Sequence, residues 1–349
     1  MVGTHSVVTI QDVAARAGVS AMTVSRVINN RASVASATRQ RVEQAIDDLG
    51  YVPNALARGL LQGRTRTVAL IVGDISNPFF TQVARGVEDV AQRNGYAVIL
   101  GNSDESTDKE RMYVNAMLSN RIDGLILAPA GSESRKTLDF LDRRGTKVVL
   151  IDRDVEGVKT DTVVGDSAGG ARMLGEHLIQ LGHRRIALVT GPLEISTARE
   201  RLRGYEEALR TRGIELERSL VVESDYKRQG GRQAAHALLA LPLEQRPTAV
   251  LAGNNFLAVG VIEALREAGR SVPEEIAVVC FDDLELSSAL NPFLTVAAQP
   301  ARTFGTIAAQ FLLERIDGLE SLPRRKVVLP PELIVRVSCG SQLARQAPG

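Results

Sequence analysis

Residues 9–29, "TIQDVAARAGVSAMTVSRVIN", read as two short helices joined by a bend, and that reading decides the character of the amino-terminal part of the chain. Thr9 stands as a helix N-cap, with Asp12 at the third helical position and Gly18 just past the end. Ile10, Val13, Ala14 and Ala17 recur at helical spacing and share one face. Ser20 then caps a second helix whose inward stripe is Val24, Val27 and Ile28. Only "GVS" separates the two, a three-residue turn with glycine at the bend, which is the signature of a helix-turn-helix. A third helix is predicted over 36–49, "SATRQRVEQAIDDL", with Val42, Ile46 and Leu49 apolar and Gly50 as its stop.

The inward stripe leaves Ala21, Met22, Ser25, Arg26 and Asn29 on the outward side of the second helix. That helix has no acidic residue, and its first turn offers backbone N–H groups with the hydroxyls of Ser20 and Thr23. Such groups seat a recognition helix on phosphates, although a plain three-helix bundle without a ligand is the alternative. Charge favours the former. Residues 1–66 hold eight Arg against four Asp/Glu, a net of +4, so with a whole-chain total of +1 the remainder carries −3. A basic head on a mildly acidic body suits a modular nucleic-acid binder.

Between Gly50 and Thr67 lies "YVPNALARGLLQGRTRT". Pro53 suits a helix start, and Asn54 to Leu60 spans two turns. So short a helix is marginal in water, and Gly59 weakens it by about 1 kcal/mol relative to alanine. It is expected to be helical only with outside support, or else to be a simple linker.

From Val68 the pattern changes. Apolar runs, "VALIV", "YAVILG", "GLILAP", "VVLID", "RIALVTG", "TAVLAGN" and "IAVVCFDD", alternate with helical stretches. This is the pattern of parallel sheets in a doubly wound fold. The predicted class is α/β: an all-α helix-turn-helix headpiece (1–52), a hinge helix and linker (53–66), then two doubly wound parallel-sheet lobes (67–340) and a tail (341–349). One lobe is expected over about 67–162 and 296–325, the other over about 163–295 and 326–340. Ligands in such folds bind beyond the carboxyl ends of the strands. The polar and aromatic residues there are Asp74 to Phe80, including Asn77, Phe79 and Phe80, then Asp152, Arg153, Asn254, Asp282 and Gln299. Carboxylates and amides take hydroxyl hydrogens and aromatic faces stack on C–H surfaces; singly, each strand-end Asp is equally a helix cap or turn former.

Several classes are set aside. Two cysteines and four scattered histidines make neither a disulfide framework nor a closed metal site, and Cys280 reads as a core thiol. The glycines of "GGARMLGEHL" lack both a phosphate-loop lysine and dinucleotide spacing, so helix–sheet packing explains them. His177 and His183 have no nucleophile or acid constellation around them, so neither an enzyme nor a cofactor is expected. There is no 18-residue apolar run and no secretory signal pattern, which makes a cytoplasmic protein without a membrane partner the expectation.

"VTIQDVAARAGVSAMTVSRVIN" followed by "RVEQAIDDLGYVPNALARGL" resembles the LacI/GalR family of transcription regulators. The likeness continues through "SNPFF", "LIDRD", "LGHRRIALVTGP", "ARERLRGY", "PTAVLAGNNFLAVG" and "FDD", covering residue 8 to about 338. It implies a repressor that binds a pseudo-palindromic operator in double-stranded DNA as a homodimer. The second helix would enter the major groove, with Ala21 and Met22 at base-discriminating positions and Arg26 at a further one; the DNA-facing set is Ser20, Ala21, Met22, Thr23, Ser25, Arg26 and Asn29. The hinge would enter the minor groove, with Asn54, Ala57 and Arg58 along it and Leu60 as an apolar wedge. The body resembles a periplasmic sugar-binding protein, so Asn77, Phe79, Phe80, Asp152, Arg153, Arg201, Asn254, Asp282 and Gln299 would contact a small effector, with Tyr226 as an aromatic stacking residue. A sugar or sugar derivative is expected, with a purine or nucleoside effector, or a cytoplasmic sugar receptor without DNA binding, as alternatives. Asn255 stands where the family usually has Asp, and Phe256 where a polar residue is common. The eleven residues after Ser338, "CGSQLARQAPG", are too short for a leucine-heptad tail, which leaves a dimer rather than a tetramer as the expectation.

Overall fold

The computed structural model describes residues 8–29, 34–52, 64–284, 291–319 and 323–342. The chain separates into two compact units that divide at Thr65/Arg66. The first contains α1 (Ile10–Ala17), α2 (Ala21–Ile28) and α3 (Ser36–Leu49). Each start and stop has a local cause. The Thr9 hydroxyl accepts from the Asp12 amide while the Asp12 carboxylate accepts from the Thr9 amide, a reciprocal cap. Gly18 and Gly50 end α1 and α3 at φ 66° and 61°, the left-handed region in which a side chain would be strained. Val13, Ala14, Ala17, Val24, Val27, Val42 and Ala45 are buried together, with Ile28 packed on them half-buried. The inward stripe predicted for α2 is therefore the unit's core.

The second unit holds two six-stranded sheets. In the first, β1 (Thr67–Val72), β2 (Ala97–Asn102), β3 (Gly124–Leu127), β4 (Lys147–Asp152), β5 (Asp161–Gly165) and β11 (Lys326–Leu329) run in the order β11-β5-β4-β3-β1-β2, all parallel. In the second, β6 (Ile186–Thr190), β7 (Val221–Glu223), β8 (Ala249–Ala252), β9 (Ala277–Phe281), β10 (Thr295–Ala298) and β12 (Glu332–Ile334) run in the order β12-β10-β9-β8-β6-β7, with β12 alone antiparallel. Helices α4 (Pro78–Arg93), α5 (Thr107–Ser119), α6 (Ser134–Arg143) and α11 (Ala301–Ile316) belong to the first lobe. The second lobe holds α7 (Ser167–Gln180), α8 (Ser196–Thr211), α9 (Arg228–Leu239) and α10 (Asn255–Glu267). Continuously buried strands such as β6, β8 and β9 match the apolar runs of the sequence.

The strand pairings shift the expected lobe limits by a few residues. All of β5 lies in the first sheet, all of β10 in the second, and β11 pairs with β5 rather than joining the second lobe. The reason is that each of these strands completes its ladder before the chain leaves its carboxyl end. The chain thus crosses between lobes three times at the strand carboxyl ends.

Far from those ends, Arg315 is fully buried against Asp161, Nε to Oδ2 at 2.7 Å and Nη2 to Oδ1 at 3.0 Å. Burial alone would push the Asp161 carboxyl up, but hydrogen bonds from Arg315 and Arg325 outweigh it and hold it down at about 2. The pair ties α11, which enters from the second lobe's strand β10, to the first sheet. Gly170 in α7 lies where a Cβ would sit 2.7 Å from the Phe281 ring, so it packs helix on sheet as expected, whereas Gly175 lies against Ala208 of α8.

Candidate functional site

The outward face of α2 is built by the burial of its opposite side. Met22 is 65% exposed and Arg26 is exposed, its Nη2 3.6 Å from the Met22 Sδ. Ser20 caps the helix, accepting from the Thr23 amide at 3.2 Å, and its hydroxyl lies 3.0 Å from the Thr23 hydroxyl. Ala21 is half-buried and packs on the helical core, so it presents less of itself outward than Met22. Asn29 closes the other end by donating to the Ser25 carbonyl at 2.8 Å. The helix therefore shows a neutral, hydroxyl-bearing first turn and one mobile-stemmed arginine with no acid beside it in the helix. Asn54, Ala57, Arg58 and Leu60 lie outside the described residues.

In the second unit, the strand carboxyl ends of both lobes face one cleft. It is lined from the first lobe by Asp74, Asn77, Phe79, Phe80, Glu105, Asp152 and Arg153, and from the second by Thr197, Arg201, Asp225, Tyr226, Lys227, Asn254, Phe256 and Asp282. Nine of the ten residues predicted for a ligand line it directly. The tenth, Gln299, reaches it through Asp282, donating from Nε2 to Oδ1 at 2.8 Å. The backbone is strained here. Of seven described non-glycine residues with positive φ, Asp104, Glu105, Asp152, Tyr226 and Asp282 surround this cleft. Such residues hold their conformation only where their surroundings impose it, and they concentrate at functional sites.

The charges are arranged as a network. Arg153, buried at the end of β4, gives Nη1 and Nη2 to the Glu105 carboxylate at 2.5 and 2.9 Å and a further Nη1 bond to the Pro129 carbonyl at 3.0 Å. Its Nε lies 3.3 Å from Asp152. Burial raises the Asp152 carboxyl to about 6, although Arg153 and Arg201 pull the other way. Burial likewise raises Asp282, against the opposing charge of Arg201 and the bond from Gln299. Arg201 donates to the Gly253 carbonyl and lies over the Phe281 ring at 4.1 Å, while its buried Nε has no hydrogen-bond partner. The Tyr226 hydroxyl is 3.4 Å from that of Thr197, and the ring lies where a Cβ on Gly191 would be 2.0 Å away, so only glycine admits it. Phe79 and Phe80 make an edge-to-face pair at 5.1 Å and are mostly core, with edges on the cleft.

Two predicted contacts are more committed than the sequence suggests. Asn254 caps α10, accepting from the Leu257 amide at 2.8 Å and donating to the Tyr226 carbonyl at 2.9 Å. Asn77 caps α4 through Oδ1, which also accepts from Asn255 Nδ2 at 3.1 Å across the lobes. Lys227 to Asp104 at 3.2 Å, Ser132 to Glu194 at 3.2 Å and the Asp154 amide to Ser196 at 3.1 Å cross the same gap. Glu105, Thr197, Asp225 and Lys227 also line the cleft and were not singled out from the sequence. Glu105 follows β2, whose carboxyl end obeys the same strand-end rule as the others.

Residues 9–54 match the family of bacterial regulatory proteins, lacI family, and residues 176–339 match the periplasmic binding protein-like domain. The HTH-type transcriptional repressor PurR of Photobacterium profundum is 35% identical over 331 residues, covering 95% of this chain and 98% of that protein. The ribose operon repressor of Escherichia coli is 36% identical, covering 95% and 99%. Among solved structures, the lac repressor dimer bound to operator and the anti-inducer ONPF has a TM-score of 0.81 at 29% identity, covering 96% of this chain and 99% of that one. With a helix-turn-helix in its first unit and a two-lobed cleft in its second, the chain belongs to the lacI family of bacterial regulatory proteins.

Proposed function

We propose that this DNA-binding transcription regulator is a cytoplasmic repressor that grips a pseudo-palindromic operator as a homodimer and answers to a sugar-type effector held between its lobes. The observation that carries the effector reading is convergence. Asp152, Arg153, Arg201, Tyr226 and Asp282 come from distant parts of the chain and meet, buried, in one cleft, with Asp152, Tyr226 and Asp282 held at positive φ. Carboxylates accept from hydroxyl groups, the open Nε of Arg201 donates to a hydroxyl oxygen, and Tyr226 and Phe256 supply stacking faces. Ser20, Ala21, Met22, Thr23, Ser25, Arg26 and Asn29 take the major groove in this reading, and Asn54, Ala57, Arg58 and Leu60 the minor groove. The dimer is supported by the edge strand β2, where Ile99 and Leu100 are exposed beside the exposed Met112 of α5.

Fluorescence anisotropy on DNA flanking its own gene, at several salt concentrations, tests the regulator reading: sequence-preferring, salt-sensitive binding that changes when effector is added is expected. A ligand present at about 100 times its Kd stabilises the body by about 2.7 kcal/mol, which a thermal-shift screen of sugars detects. The 35% identity to repressors named PurR favours one second reading, a purine effector. Hypoxanthine and guanine in the same screen decide between the two.

A further inference from the structure

Each cation of the cleft already holds a partner, Arg153 most fully, although Arg153 Nε and Arg201 Nε are buried without a hydrogen bond. Glu105 takes Arg153 in a two-pronged carboxylate–guanidinium contact, with the Glu105 side chain only 15% exposed and that of Arg153 6% exposed. Pro129 takes another N–H, and Asp152 sits beside Nε. Lys227 is held by Asp104. Arg201 donates from Nη1 to the Gly253 carbonyl and lies on the Phe281 face, while its buried Nε has no hydrogen-bond partner. Asp74, Glu105, Asp152, Asp225 and Asp282 face these three cations on the lining, so acids outnumber bases by two. An arginine fork is the usual receptor for a phosphate or carboxylate, and here the protein's own carboxylate fills it.

Resting on the sugar reading of the cleft, we infer that the effector is an uncharged polyhydroxyl compound, and that Glu105 is the specificity-determining residue that excludes its phosphorylated or carboxylated forms. An anion entering at Arg153 would have to displace Glu105 and leave that carboxylate buried without a partner, beside Asp152. Rejection is thus built from a like charge rather than from shape. A neutral hydroxyl disturbs none of these pairs. It needs only Asp152, Asp282 and the Arg201 Nε.

The test uses calorimetric titration of the full chain with ribose, glucose and galactose, each against its phosphate ester, and with inorganic phosphate as competitor. On the unaltered protein, a neutral sugar that binds is expected to bind at least about tenfold more tightly than its ester, and phosphate is not expected to compete. Glu105→Gln keeps the side chain's shape while removing its charge. It should narrow that ratio by about tenfold and make phosphate a competitor. An ester bound as tightly as its parent sugar by the unaltered chain overturns the inference and leaves the sugar reading intact. So does a ratio unchanged by Glu105→Gln. Silence from every sugar alongside binding of hypoxanthine or guanine overturns the sugar reading itself, and this inference with it. The comparison on the unaltered chain stands even if the variant does not fold.

Discussion

The outward face of α2 and the floor of the cleft are both polar surfaces proposed to bind something, yet they are constructed oppositely. On α2 the arginine is exposed, and among the described residues its hydrogen-bond partner is a methionine sulfur, with no acidic residue in the helix beside it. In the cleft, buried cations meet anions or aromatic faces. The difference follows from the size of the partner. A duplex brings its own dense negative charge and desolvates an exposed helix on contact, so readiness there means leaving groups uncommitted. A small ligand brings few groups, so the protein must hold its buried charges in place beforehand and lets the ligand complete the network.

The sharpest break of that contrast is in the body's paired charges. Asp161→Asn leaves Arg315 buried without its counter-charge and should lower the stability of the body by about 3–5 kcal/mol in urea denaturation. Because the native Asp161 carboxyl is held below its unfolded value, its contribution is full above about pH 4 and is lost as pH falls toward 2. An equal loss at pH 2 and pH 7 would refute the pairing. Arg26→Ala attacks the uncommitted side. It should leave thermal stability unchanged while weakening operator binding by about 1–3 kcal/mol, and chiefly for the matched sequence. A uniform loss on all DNA would make Arg26 a phosphate contact instead.

Asp152 gives a smaller, pH-dependent signature. Its carboxyl is raised to about 6, so the folded state favours the protonated form. Its contribution to stability is therefore full below about pH 4 and declines as pH rises through 6. Effector affinity should run the other way if the ionised carboxylate accepts a hydroxyl, weakening by up to about tenfold per pH unit below 6. Titration of Asp152→Asn should be flat over that range. The smallest effect is expected for Asn255→Ala, which removes one neutral hydrogen bond to Asn77 across the lobes, worth about 1 kcal/mol. Small-angle scattering of the effector-free protein should show a more open body, and an unchanged profile would assign the latch to Lys227 and Asp104 instead.

Much of this was legible in the residues themselves. Thr9, Gly18, Ser20 and Gly50 punctuate the headpiece through contacts no more than a few positions away, so local chemistry determines those helices in any context. The apolar runs identify the parallel strands, and the strand-end rule picks out Asp152, Arg153 and Asp282, because doubly wound topology carries every such end to one side. What the tertiary structure alone decided was commitment. Asn254 and Asn77 look like ligand contacts in sequence but are occupied by capping, Asn254 also by the Tyr226 carbonyl and Asn77 by Asn255 across the lobes. Glu105 looks like one more surface acid after a strand, and becomes the partner of Arg153 only when segments 48 residues apart are brought together. The exchange of β5, β10 and β11 between lobes was likewise settled by which ladder each strand completes. Sequence determines what a residue can offer within a few positions of itself; which of those offers is already taken depends on neighbours that only the fold supplies.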